Sequence, residues 1–164
     1  MNEHFILAKN AVSGYNLIAA TGEKHYEKIS KALEEKGVDT EKLNNVKVVP
    51  YIYNMEEIFS AADMIVGRAG AITISEITAA GKAAVLIPSP YVAHNHQEHN
   101  ARYLEKNGAA KVVVEGELSG ERLAMEINTV LGDTAKLKEM QKASKSIGIC
   151  DACETIYKAV KNLV

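Results

Sequence analysis

Short apolar runs alternate with amphipathic segments along most of the chain. The runs NLIAA (16–20), VKVV (46–49), MIVG (64–67), AVLIP (84–88) and AKVVV (110–114) hold few charges. That is the pattern of strands covered by helices on both faces of a sheet. Between the runs the period lengthens to that of a helix. Tyr26, Ile29 and Leu33 mark one face over about 23–36. Met55, Ile58, Phe59 and Ala62 follow the i, i+3, i+4, i+7 rule, with Asn54 placed as an N-cap. A third helix over about 95–107 ends at Gly108, a natural residue to follow a helix. Beyond 114 the pattern is helical only. Leu123, Ile127, Val130 and Leu131 form one stripe, and a shorter helix covers about 134–146. Asp151 then opens a terminal helix whose stripe is Ile156, Ala159, Val160 and Leu163. Repeated β–α units of this kind predict an α/β fold: a doubly wound parallel sheet with helices on both faces and a helical C-terminus.

Length and composition narrow the class. A chain of 164 residues, 47% hydrophobic and 24% charged, is long enough to bury a core as a single domain. Its formal charge of −2 offers no basic footprint for nucleic acid. No apolar run approaches the ~20 residues of a membrane span. The start, MNEHFILAKNAVSGYN, lacks the basic and apolar regions of a secretory signal. Together with only two cysteines, Cys150 and Cys153, this predicts a cytoplasmic protein.

Candidate chemistry concentrates in VGRAGAITISEITAAGKAAVLIP, Val66 to Pro88, where Glu76 is a lone acid in a small-residue run. A strand, a glycine turn at 67–70 and a helix present free backbone N–H groups and a positive dipole end, which suit phosphate. Such sheets bind ligands beyond the carboxyl ends of their strands. Thr73 and Ser75 add hydroxyls, and Glu76 is placed to accept both hydroxyls of a ribose. On the residues alone, a tight turn and a solvated helix carboxylate fit the same pattern.

The run GRAGAITISEITAAGKAAVLIP, followed by HNHQEHNARYLEKNGAAKVV, resembles the donor-binding half of the MurG family. These bacterial transferases move N-acetylglucosamine from UDP-N-acetylglucosamine to the lipid-linked muramyl-pentapeptide of peptidoglycan synthesis. The resemblance runs from about Met1 to the C-terminus and is strongest over 50–114. It implies one Rossmann-like half of a GT-B glycosyltransferase, acting on the inner face of the plasma membrane and needing no cofactor. It also implies roles. Glu76 takes the place of the family's ribose-binding acid, and the amides of Ala71, Ile72 and Thr73 face the phosphates. Arg68 matches the arginine of the R-x-G turn, as a support of the loop or of the phosphates. PYIYNMEEIF resembles the uracil-binding strand end, with the Ile52 backbone reading the base and Met55 beside the ring; core packing serves Met55 equally. His96 and Gln97 match the pair that contacts the sugar, and Asn100 a recurrent asparagine that holds the loop to the helix. No catalytic base is identified.

Two further patterns admit other readings. His94, His96 and His99 have Glu98 as their sole neighbouring acid and no nearby cysteine, so no metal ligand set is complete. Cys150 and Cys153 form a C-x-x-C, readable as redox-active, as half a zinc site or as two plain thiols at a helix start. IGICDACETI resembles the family's I-P-D-A opening of the last helix, with Cys150 in place of proline.

Relative to the family, the acceptor-binding N-terminal half is expected to be missing, as are the opening strand and glycine-rich loop of the donor half. MNEHFILAKNAVSGYN matches the helix after that loop. The lipid-linked acceptor is therefore expected to be held elsewhere, and the chain alone to transfer no sugar. Losing a central strand would leave two unpaired edges open to self-association, unless HFILA replaces it. A non-catalytic nucleotide-sugar module and the soluble half of a split glycosyltransferase are the alternatives.

Overall fold

The structure, a computed structural model, describes residues 14–163. HFILA lies outside them. Among the described residues there are five strands and seven α-helices, alternating as far as β5 and helical thereafter: β1 (Leu17–Ala20), α1 (Glu23–Glu35), β2 (Val46–Val49), α2 (Met55–Ala61), β3 (Met64–Gly67), α3 (Ala71–Ala80), β4 (Ala83–Leu86), α4 (His96–Lys106), β5 (Ala110–Val112), α5 (Gly120–Leu131), α6 (Thr134–Ile147) and α7 (Ala152–Lys161). Gly108, at φ 76°, follows α4 in the left-handed region and stops it. The sheet hydrogen bonds run as two parallel ladders, β1–β2 and β3–β4–β5. The chain divides into two units accordingly: one holds the residues through Ala61 with Val113–Thr134, the other Ala62–Val112 with Ala135–Val164.

In the first unit, Leu17 to Ala20 pair in register with Val46 to Val49. Ile29, Leu33 and Val38 are buried there, with Leu43 and Val48 packed on them. Helix α5 buries the stripe Leu123, Ala124, Ile127 and Val130, and Ser119 caps it by accepting from the Arg122 amide at 3.0 Å.

In the second unit β4 is the middle strand, and Ala83 to Ile87 are wholly buried. This explains its unbroken apolar sequence: a strand flanked on both edges and covered on its faces has no side for a polar residue. Each step from β3 to β4 to β5 moves one strand over in the same direction. Right-handed crossovers therefore put α3 and α4 on one face, and the two helices touch. Ile77 of α3 and Leu104 of α4 are fully buried, each contributing about 1.5–3 kcal/mol of transfer free energy.

Helix α6 docks on the carboxyl end of α3 in this unit. Ser144 Oγ donates to the Ile77 carbonyl (3.4 Å) and Lys145 Nζ to the Ala79 carbonyl (2.6 Å). The lysine thereby serves two orphan needs of a helix end, a donor and a positive charge. Helix α7 departs from what its stripe suggests. None of its residues is buried, and Ile156, Val160 and the following Leu163 are 63%, 55% and 86% exposed. Among the described residues no helix is long and apolar enough to cross a membrane.

Candidate functional site

The carboxyl ends of β3 and β4 lie side by side, because Gly67 pairs with Leu86 and the Ile87 amide donates to the Gly67 carbonyl at 2.9 Å. Two loops leave from there: the glycine turn into α3, and the loop Ser89–Asn95 into α4. Helix α3 begins at Ala71 after Gly70, whose extended backbone (φ −67°, ψ 153°) supplies no capping side chain. The first intrahelical bond is Ile74 N–H to the Gly70 carbonyl (2.9 Å). Among the described residues, nothing accepts from the amides of Ala71, Ile72 and Thr73. Three open donors at a positive helix end form a potential anion cradle. Of the hydroxyls nearby, Ser75 Oγ is turned back to the Ala71 carbonyl (3.0 Å), so it serves the helix. Thr73 is half-buried and Glu76 is exposed on the same helix.

Three side chains fasten the two loops to this framework. Arg68 Nη1 donates to the Ile87 carbonyl (3.3 Å). Asn100 Nδ2, from the second turn of α4, donates to the Ala69 carbonyl (3.1 Å), which ties that helix to the glycine turn. The Ser89 amide donates to Gln97 Oε1 (2.9 Å), fixing the loop that leaves β4. Ser89 carried no signal in the sequence, because its amide, not its hydroxyl, makes the bond.

The loop into α4 has unusual backbone. His94 (φ 52°) and Asn95 (φ 51°) are consecutive non-glycine residues in the left-handed region, a conformation that costs energy and clusters at ligand-binding segments. Asn95 Nδ2 donates to Glu98 Oε2 (2.6 Å), which helps hold it. The turn exposes His96, whose Nδ1 lies 2.8 Å from the Ala93 carbonyl. A carbonyl only accepts, so Nδ1 carries the proton in that bond and Nε2 is left as the ring's other pole. Among the described residues no three His, Cys, Asp or Glu side chains are grouped to hold a metal ion.

Arg68, Ala71, Ile72, Thr73, Glu76, His96, Gln97 and Asn100 thus all belong to the second unit, at or near its two fastened loops. Ile52 and Met55 belong to the first unit, where they follow the carboxyl end of β2. Ile52 is half-buried and Met55 is 39% exposed. Tyr51 and Tyr53, on either side of Ile52, meet edge to face with ring centroids 5.0 Å apart. Asn54 occupies the cap position: its carbonyl accepts from the Ile58 amide, while its side-chain nitrogen donates to Glu57 Oε2 (2.7 Å).

Residues 2–161 match the family model described as the glycosyltransferase family 28 C-terminal domain. The chain is 49% identical over 151 residues to the UDP-N-acetylglucosamine–N-acetylmuramyl-(pentapeptide) pyrophosphoryl-undecaprenol N-acetylglucosamine transferase of Acetivibrio thermocellus, covering 92% of this chain and 40% of that protein. It is 46% identical to the protein of the same name from Bacillus licheniformis, over 99% of this chain and 44% of the relative. The chain therefore spans about two fifths of the length of the curated relatives it matches. Among solved structures, Acinetobacter baumannii MurG superposes with a TM-score of 0.82 at 27% identity, over 98% of this chain and 45% of that one. The glycosyltransferase VinC in complex with DTDP superposes at 0.67 with 19% identity, over 95% and 36%; at that identity the likeness concerns the fold.

Proposed function

The chain belongs to the family of glycosyltransferase family 28 C-terminal domains, and from that membership we propose that it is the UDP-N-acetylglucosamine-binding part of an inverting N-acetylglucosaminyltransferase of peptidoglycan synthesis. The observation that carries the proposal is the start of α3, where three open amides and an exposed carboxylate, Glu76, share one helix. The amides of Ala71, Ile72 and Thr73 receive the diphosphate, and Glu76 accepts from the ribose hydroxyls. Arg68 and Asn100 support the reading as positioning residues, since their bonds to Ile87 and Ala69 hold the turn in shape. Gln97 and the Nε2 of His96 contact the sugar from the first turn of α4. On the first unit, the Ile52 backbone and the Met55 side chain carry a separate uracil reading, which rests on the family resemblance.

The chemistry assigned to this chain is electrostatic. When an acceptor hydroxyl attacks the anomeric carbon, negative charge builds on the departing UDP. Preset backbone donors meet that charge without having to reorganise. The acceptor is a lipid-linked muramyl-pentapeptide, the site of action is the cytoplasmic face of the membrane, and the edge strands that have no strand partner among the described residues support self-association.

Ligand-observed NMR with UDP, ADP and GDP tests the donor reading. Signals for UDP well above the other two are expected. Equal signals for all three overturn the uracil assignment, and no signal for any of them overturns nucleotide binding as such.

A further inference from the structure

Cys150 and Cys153 take no part in the donor chemistry proposed above. Both thiols are free and exposed. Cys150 lies just ahead of α7 and Cys153 in its first turn, with Asp151 at the cap making no side-chain cap bond. A third group comes from α6: Lys145 Nζ stands 3.9 Å from Cys150 Sγ. The same ammonium donates to the Ala79 carbonyl at 2.6 Å, so the end of α3 fixes it beside the sulfur. Cys150 lies before the helix and Cys153 within it, three residues apart, the C-x-x-C spacing at which two thiols can close on each other.

A thiolate is the nucleophile in disulfide exchange, and a second thiolate is its leaving group. A fixed ammonium offsets the charge that the Cys150 sulfur carries in either role. The amino end of α7 acts on Cys153 in the same sense. We infer that Cys150 and Cys153 form a thiol–disulfide exchange site whose substrate is a small disulfide of the glutathione disulfide type. The Cys150 thiolate attacks one sulfur of the small disulfide, and the other sulfur leaves as a thiolate with the bonding electron pair. The Cys153 thiolate then attacks Cys150 Sγ and expels the second small thiolate. Two protein thiols become one intramolecular disulfide, one small disulfide becomes two thiols, and the two protons pass to the small thiols.

Intact-mass spectrometry after incubation with glutathione disulfide tests this on the whole chain. The expected product is lighter by two hydrogens and carries no adduct, whereas Cys150→Ser and Cys153→Ser each retain one stable glutathione adduct. Lys145→Gln should slow adduct formation in the Cys153→Ser background by about two- to fivefold, the scale of an exposed charge contact. The same change in the Cys150→Ser background should leave the rate at Cys153 unaltered, which separates charge from a loss of folding. Two adducts on the unaltered chain without ring closure overturn the inference. So does a Lys145→Gln rate equal to that of the parent at Cys150, or an equal slowing at both cysteines.

Discussion

Glu76 makes no hydrogen bond or ion pair among the described residues, and its side chain is exposed on α3. Replacing it therefore removes a carboxylate without breaking any bond that holds the fold. Glu76→Ala is expected to weaken UDP binding by about 1.5–3 kcal/mol, roughly tenfold to a hundredfold, the scale of hydrogen bonds to a charged acceptor. Cys150→Ser and Cys153→Ser should leave the affinity unchanged. Titration calorimetry on the three variants decides the matter, and loss of binding in the cysteine variants with retention in Glu76→Ala would refute the ribose assignment. Asn100 and Gln97 differ from Glu76, since each already bonds backbone that the loops need. Both positions were visible in the sequence by resemblance. Their partners were not, because the Asn100 bond spans 31 residues and ends on a main-chain carbonyl, which no side-chain pattern records.

Elements were legible wherever burial writes a pattern. The run AVLIP announced β4 because every residue from Ala83 to Pro88 is buried, and the stripe of α5 announced its buried face. Periodicity states which face of a helix is apolar and says nothing about what covers it, so the exposure of α7 could not be read in advance. The docking of α6 was equally silent, because it uses carbonyls of α3 and one close approach. A Cβ placed on Gly148 would lie 2.5 Å from the Thr78 carbonyl oxygen and 2.8 Å from its carbon. Backbone cannot yield as a long side chain can, so Gly148→Ala must push α6 from α3. The expected loss is about 1–3 kcal/mol, the usual cost of overpacking. Gly116→Ala, with nothing within 4 Å of the added carbon, should stay within about 0.5 kcal/mol of the parent. Urea unfolding of the two variants checks this, and equal midpoints would mean that the contact is slack.

At the scale of the whole chain, what matters is the number of strand edges. Among the described residues β1 pairs with β2 alone, β3 with β4 alone and β5 with β4 alone, so each ladder ends in strands with no further strand beside them, and on β5 the Val112 amide donates to Glu105 Oε1 at 3.2 Å. Proteins ordinarily shield such edges with charges, prolines, bulges or a covering element, because an open edge is a template for another strand. Here the protection is thin: β1 reads LIAA and β3 reads MIVG, with no charged residue or proline in either. Strands of four residues limit each pairing to a few hydrogen bonds, each with a net value of about 0.5–1.5 kcal/mol. Several such bonds, less the cost of lost translational freedom, amount to weak and concentration-dependent association. The 17.8 kDa chain is therefore expected to sediment as a monomer when dilute and as larger species as its concentration rises. A lysine in the middle of each edge, Ile18→Lys and Val66→Lys, should suppress the larger species, since both side chains are already part-exposed, at 42% and 36%. Sedimentation velocity over a dilution series provides the measurement. A monomer at every concentration shows that the edges are covered, and association that survives both lysines places the contact on another surface.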